Sequence, residues 1–450
     1  MFPRMIIEIL DKWACSERRK PLLLRGARQV GKTVAVRMFG QKYSRFVELN
    51  LERSDEAALF KQGHNAVDLF QAILLHKNVA GAEGNTLLFI DEIQECPEAV
   101  KMLRYFKEDL PEIHLIAAGS LLEIALSKAQ INFPVGRVEH LFIYPLSFVE
   151  FLTATGNNEV VALLENVPVP GYAHETILKL FHRYVLIGGM PEIVAEYIRK
   201  RDISDLSQVY KSLLQSYIDD IPKYARNETM VRVLSHCIKM APLSAGSRIT
   251  FAGFGESNYR SREVGEALRT LEKALILNLF YPTLATQIPI RPNYRKSPRL
   301  QFIDTGLLNY CAGLQEQFFL HKDLHSLYRG ILAEHIVGQE LICSGTEELR
   351  TQCFWVRDSS QSQAEVDFVI QHREKIIPVE VKAGKTGRLR SLHLFMDMCP
   401  HGYAIRLYAG PILKEIITTP NGKQFTLINL PYYLASKLHE YLDWAENTVV

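Results

Sequence analysis

Cysteine is scarce in this chain of 450 residues, and so is any pattern that would pair it. The seven cysteines (Cys15, Cys96, Cys237, Cys311, Cys343, Cys353 and Cys399) are scattered, odd in number and without a C-x-x-C spacing. That argues against a disulfide frame or a zinc site and for reduced thiols in a cytoplasmic setting. No apolar run approaches the ~20 residues of a membrane span, so no membrane partner is expected. Excess charge of one sign is also missing: the net charge is +2. A protein that coats nucleic acid generally is thereby excluded, while a local basic surface is not. There is no signal-peptide pattern in Met1 to Ala14, because Glu8 and Asp11 interrupt the apolar positions Met5, Ile6, Ile9, Leu10 and Trp13. A docking helix is expected there instead. With 47% apolar and 23% charged residues the chain is neither disordered nor fibrous. Its length suggests roughly two to four domains at ~150 residues each.

What is present begins with Gly26-Ala27-Arg28-Gln29-Val30-Gly31-Lys32-Thr33, a G-x-x-x-x-G-K-T loop. An apolar run, Pro21 to Leu24, precedes it, and a helix-like segment, Val34 to Phe39, follows. A buried strand, a Gly-rich loop and a helix start gather backbone N–H groups and a helix dipole around one point, which suits a polyphosphate. Lys32 would reach the β- and γ-phosphates, and the Thr33 hydroxyl would ligate Mg²⁺. Further on, Leu87-Leu88-Phe89-Ile90 runs into Asp91-Glu92. A continuous apolar run reads as a central parallel strand, and ligands of such sheets lie beyond the carboxyl ends. Asp91 would face the Mg²⁺ and Glu92 an attacking water; the bland alternative is a solvated strand end.

Residues 19 to 155 alternate short strands with amphipathic segments, the pattern of a parallel α/β sheet. The strand candidates are Leu22–Leu24, Phe46–Leu51, Leu87–Ile90, His114–Ala118 and Leu141–Tyr144. Ser120 follows the fourth and is either a sensor of the γ-phosphate or a plain helix N-cap. Arg137, in Phe133-Pro134-Val135-Gly136-Arg137, would stabilise charge on the γ-phosphate or is a surface arginine.

From 156 to 228 the pattern is helical. Gly188-Gly189 followed by Pro191 ends one helix and opens another. A helical lid beside the nucleotide is expected, with Asp219-Asp220 on a solvated face. From 229 to 318, three helices and a two-stranded hairpin read as a winged helix. Its loop gathers Arg291, Arg295, Lys296 and Arg299 near Tyr294. That cluster suits a DNA backbone, or the module is a protein-docking scaffold.

A second constellation lies in the last ~130 residues. Ala364 to Ile370 and Ile377 to Lys382 read as antiparallel strands about a turn from Gln371 to Lys375. Asp367, Glu380 and Lys382 would converge at a sheet edge covered by a helix, Ile331 to Leu341, that carries Glu334. Three carboxylates and a lysine make a hard-cation site. Asp367 and Glu380 would ligate Mg²⁺, Glu334 a second metal or its water, and Lys382 would stabilise a phosphate. The alternative is a surface hairpin with cross-strand charge pairs.

Together these motifs resemble the bacterial and archaeal AAA+ ATPases that pair a P-loop domain with a C-terminal domain related to PD-(D/E)xK nucleases. Besides the loop and Phe89-Ile90-Asp91-Glu92, the resemblance is carried by Ala118-Gly119-Ser120, Gly188-Gly189-Met190-Pro191-Glu192, Phe302-Ile303-Asp304-Thr305-Gly306-Leu307, Glu334, Glu365-Val366-Asp367-Phe368 and Glu380-Val381-Lys382. One departure is Val366, which stands where the nuclease motif has its proline. The resemblance implies an α/β P-loop domain (1–155), a helical lid (156–228), a winged helix (229–318) and a nuclease-like α/β domain (319–450). It implies an ATPase with ATP and Mg²⁺ as cofactors, Lys32 and Thr33 on ATP and Mg²⁺, Asp91 on the metal and Glu92 on the water. Asp367, Glu380 and Lys382 fall on nuclease motif positions, and Arg137 matches a family arginine. The expected function is ATP hydrolysis that positions a nuclease-like domain on DNA or RNA. The alternative is an ATP-driven switch, working on a protein partner, whose nuclease-like part only binds.

Overall fold

The computed structural model describes residues 2–79, 85–120, 122, 136–315, 331–345, 352–358, 364–382 and 389–447. Phe133–Val135 and the 318/319 division lie outside these.

Five strands form a parallel sheet: β1 (Leu22–Arg25), β2 (Arg45–Asn50), β3 (Thr86–Asp91), β4 (His114–Gly119) and β5 (Glu139–Phe142). Their order is β2-β3-β4-β1-β5, and every pairing is parallel. The expected strands are all present, shifted by a residue or two at their ends. Their apolar runs are unbroken because both faces are buried. Leu22, Leu24, Leu87 and Phe89 pack into one core, and Leu23, Leu88 and Ile90 into another on the opposite face. The N-terminal helix, Ile6–Ala14, docks on the first of these cores through Ile6, Leu10 and Trp13, while Met5 stays exposed.

A helical segment follows. The helix His174–Ile187 stops at Gly188, whose φ of 80° favours glycine, and Pro191 starts the helix Pro191–Lys200. Then come the helices Ser207–Asp219, Glu228–Ser244 and Ser261–Lys273.

The second sheet has eight strands in the order β12-β13-β11-β10-β9-β8-β6-β7. These are β6 (Leu277–Thr283), β7 (Arg299–Phe302), β8 (Cys353–Val356), β9 (Glu365–His372), β10 (Lys375–Val381), β11 (Tyr403–Tyr408), β12 (Leu413–Thr418) and β13 (Gln424–Pro431). β6 pairs antiparallel with β7 along its first half and parallel with β8 along its second. The hairpin expected to project as a wing is therefore part of the C-terminal sheet. β9 and β10 pair antiparallel as expected, but their turn is only Arg373–Glu374, with Arg373 at φ 51°. The helix Ile331–Cys343 packs against β7 and β10.

Candidate functional site

The phosphate loop joins β1 to the helix Lys32–Gly40 at the carboxyl edge of the sheet. Gly31 caps that helix at φ 94°, a conformation that an L side chain would strain. Lys32 is buried and donates through Nζ to the carbonyls of Gly26 (3.0 Å) and Ala27 (2.8 Å). Burial pulls its pKa down to about 8, against the pull of Glu92 and Asp91. Thr33 Oγ1 donates to Asp91 Oδ2 at 2.7 Å. Burial raises the Asp91 pKa, and the Thr33 bond partly offsets this. Two hard oxygen donors, a hydroxyl and a carboxylate, suit Mg²⁺. Glu92 stands at φ 50° and accepts from Gln94 Nε2 at 2.5 Å.

A cavity of about 480 Å³ opens over the loop, lined by Arg28, Gln29, Gly31, Lys32, Thr33 and Glu92 on one side. Leu146, Pro191, Glu192 and Ala195 close the other side, and Phe2 and Arg4 close its end. The cavity volume suits a ligand of nucleotide size. Gly26, Ala27 and Val30 shape the loop from behind: Ala27 and Val30 are buried, and a Cβ on Gly26 would meet Ile143.

Sequence reasoning missed several residues here. Asp220, expected on a solvated face, is buried and accepts from Arg28 Nη1 at 2.5 Å. Tyr217 Oη donates to Arg28 O at 3.1 Å, so the helix Ser207–Asp219 is tied directly to the phosphate loop. Arg4 donates to Val30 O (3.0 Å), Tyr144 O (2.7 Å) and Glu150 Oε1 (2.9 Å) and holds the loop from the N-terminal side. No local motif marks these residues, because each acts across a long separation in the chain.

Ser120 follows β4, the strand between β1 and β3, and so lies at the nucleotide edge of the sheet. Arg137 does not. It precedes β5, whose first residue, Glu139, pairs with Leu22 at the opposite edge. There Arg137 is half-exposed and ion-pairs with Glu108 at 3.4 Å. Within one chain it is not brought to the phosphate loop, because a parallel sheet carries its loops of one kind on one edge.

The second constellation is brought together, with an addition. Asp367 on β9 and Glu380 on β10 are buried, and Asp367 Oδ2 accepts from Val381 N at 2.7 Å. Lys382 Nζ donates to Glu380 Oε1. Glu380 Oε2 has no hydrogen-bond partner among the described residues. Burial and the neighbouring Asp367 push Glu334 and Glu380 each up to about 8, and burial raises Asp367 as well. The addition is Arg299. It was expected on an exposed basic wing, but its side chain is only 6% exposed. It pairs with Glu334 Oε2 at 3.0 Å, with Glu365 and, at 3.7 Å, with Asp367 Oδ1. The β6–β7 hairpin joins the C-terminal sheet and thereby carries Arg299 inward. The hard oxygens and the unsatisfied Glu380 Oε2 fit a divalent cation. Arg299 already supplies part of the charge such a cation would bring.

A glycine loop between a parallel strand and a helix, facing a Thr–Asp pair and a second acid, defines a P-loop nucleotide-binding fold. Residues 18–152 match the family model described as an AAA domain, so this part of the chain is an AAA-type P-loop ATPase domain. Residues 178–317 and 329–433 match two models described as domains of unknown function, DUF8612 and DUF4143. A search of curated proteins gave no match. Among solved structures, the chain is similar to the Walker-type ATPase PABY2304 of Pyrococcus abyssi at 16% identity and TM-score 0.44, over 69% of this chain and 96% of that one. It is also similar to the Orc1 protein of Aeropyrum pernix in complex with DNA, at 12% identity and TM-score 0.27, over 70% and 92%. A third likeness is the RuvB Holliday junction branch migration motor of Thermotoga maritima, at 16% identity and TM-score 0.28, over 65% and 93%. These likenesses are distant, and the assignment rests on the family match and the loop. Among the described residues no helix is long and apolar enough to cross a membrane.

Proposed function

We propose that this chain binds ATP with Mg²⁺, hydrolyses it, and uses the nucleotide to set the relation between its α/β domain, its helical lid and its C-terminal sheet. The observation that carries this is the 2.7 Å Thr33–Asp91 contact beside Lys32, under a cavity walled by Pro191 and Glu192. Lys32 would exchange the Gly26 and Ala27 carbonyls for phosphate oxygens, a stronger charge-assisted bond. Mg²⁺, when bound, neutralises phosphate charge. Glu92, held by Gln94, would orient a water and take its proton, with Ser120 as a second polar contact. Since the lid forms one wall, filling the cavity acts directly on Gly188–Pro191. Glu92→Gln is expected to keep ATP binding and lose turnover on the order of 10²-fold or more. Turnover at the parent's rate would reassign the water-activating role.

The same proposal divides the chain at 155, 228 and 318. It reads 229–318 as a winged helix and the rest as a nuclease-like domain acting on DNA or RNA. Support comes from an open groove of about 590 Å³ lined by Arg291, Asn293, Tyr294 and Arg295, with Tyr294 68% exposed. Base stacking on an exposed tyrosine between arginines suits a nucleic-acid strand. Further support is the Asp367–Glu380–Lys382 arrangement. A cytoplasmic location belongs to the same reading and fits seven free cysteines. A second reading, a binding module that cuts nothing, is favoured by Arg299 inside the carboxylate cluster. Incubation with single- and double-stranded DNA and RNA plus Mg²⁺ or Mn²⁺ separates the two. Cleavage abolished in Lys382→Ala supports the nuclease; no cleavage of any substrate supports the module.

A further inference from the structure

The nucleotide cavity and the carboxylate cluster share a framework. The Gly188–Gly189 bend lies between them. On its cavity side, Leu146 N donates to Gly189 O at 2.6 Å, and Leu146 and Pro191 line the cavity. On its other side, Gly189 N donates to Asp304 Oδ2 at 2.6 Å. Asp304 is fully buried, and its carboxylate fills the space that a Cβ on Gly188 would need. Gly306 packs against the Ile187 carbonyl so closely that any side chain would collide. Asp304 ends the stretch begun by β7, and Arg299 is the first residue of β7. The four residues of β7 and a bend at Ile303 thus connect the guanidinium's own backbone to the Gly188–Gly189 bend.

A second strut runs alongside. The helix Ile331–Cys343 carries Glu334, the 3.0 Å partner of Arg299. Five residues on, Gln339 Oε1 accepts from Thr305 N at 2.8 Å, next to Asp304. Glu340 Oε1 accepts from Phe148 N at 3.0 Å, and Tyr184 Oη lies 2.8 Å from both Glu340 Oε1 and Leu146 O. Both struts are regular elements packed in one continuous core, so a shift at the bend is passed on rather than absorbed.

We propose that Arg299 is a built-in plug of the carboxylate cluster, withdrawn when nucleotide fills the cavity and moves the Gly188–Gly189 bend. The proposal rests on the reading that the cluster takes a divalent cation. A guanidinium among Glu334, Glu365 and Asp367 and a divalent cation on the same carboxylates repel each other, so one weakens the other. The withdrawn state binds the cation more tightly than the resting state does. Linkage then requires that cation at the cluster tighten nucleotide by the same factor.

The test uses the full chain and Mn²⁺ as probe, read by calorimetry and by the paramagnetic resonance signal of free Mn²⁺. Without nucleotide, Arg299→Met is expected to bind Mn²⁺ at the cluster roughly ten-fold tighter than the parent, within the usual span of coupling between sites. Adding Asp367→Asn should remove that binding. Circular dichroism reports whether the variants fold, and Arg299→Lys, which keeps the charge but cannot fork between carboxylates, should fall between them. The parent itself supplies the second arm. Its affinity for a fluorescent non-hydrolysable ATP analogue should keep tightening as Mn²⁺ rises beyond saturation of the phosphate loop, and Asp367→Asn should not show this. Equal Mn²⁺ affinity in parent and Arg299→Met overturns the plug. An analogue affinity that ignores the cluster in the parent overturns the link to nucleotide. No Mn²⁺ at the cluster in any of these proteins overturns the reading of the cluster as a cation site, a different failure.

Discussion

Lys32 and Arg299 are both buried cations beside buried carboxylates, yet they are held in opposite ways. Lys32 donates to two neutral carbonyls of its own loop, and burial pulls it down to about 8. Arg299 lies among three carboxylates; burial lowers its pKa, but Glu334, Asp367 and Glu365 together raise it. A cation on neutral dipoles next to an open cavity is unspent charge, ready for an anion from solution. A cation already matched to carboxylates is a counter-ion, and its release requires something to replace it. The first site leaves its cation free for phosphate; the second already pairs its cation with its own acids.

The comparison breaks most visibly at Arg299. Arg299→Ala leaves buried carboxylates without their counter-ion and should cost about 3–5 kcal/mol in denaturant unfolding. A cost below about 1 kcal/mol would place the pair in the class of solvent-screened surface bridges. Lys32→Ala should leave stability close to the parent's and lower ATP affinity or turnover on the order of 10²-fold. Parent-like nucleotide heats in calorimetry would contradict the view of Lys32 as unspent charge.

The pH response sharpens the contrast. Glu334 and Glu380 are raised in the folded state from 4.5 to about 8. Folded protein therefore holds more protons than unfolded chain across that interval, and stability falls as pH rises through it. Asp304, raised to about 6, and Glu340, raised to about 7, act in the same direction. Lys32 acts only above about 8, outside this window. Thermal midpoints should thus be higher at pH 6 than at pH 8; a midpoint that climbs with pH would remove the buried-acid account. The smallest effect is expected at Arg137, which is half-exposed on Glu108. Arg137→Ala should change stability by less than about 0.5 kcal/mol and ATP affinity hardly at all. A large loss of turnover would mean that a second copy supplies this arginine.

The two sites differ equally in how far they could be read in advance. Gly26 to Thr33 is one stretch of eight residues, and Lys32 closes on two of its carbonyls. Asp91 and Glu92 announce themselves by ending an apolar run buried on both faces. Asp367, Glu380 and Lys382 were legible for a similar reason, being adjacent strands joined by a short turn. Asp220 was not, because its exposure depends on Arg28, 192 positions away. Arg299 was misread for the same kind of cause: its neighbours in sequence are basic and polar, while its neighbours in space are acids on β9 and on the helix Ile331–Cys343. For Arg137 the choice between a phosphate contact and a surface arginine stayed open, because its motif says nothing about strand direction.

The sequence by itself determined the nucleotide cradle, the five parallel strands and the helix break at Gly188–Pro191. Each is written in local spacing, apolar periodicity or the φ preferences of glycine and proline. Only the tertiary structure decided that the β6–β7 hairpin enters the C-terminal sheet, that Arg299 turns inward, and that Asp304 bonds to the Gly188–Gly189 bend. Those outcomes depend on which distant surfaces bury together, and a buried charge takes its partner from whatever packing brings within reach.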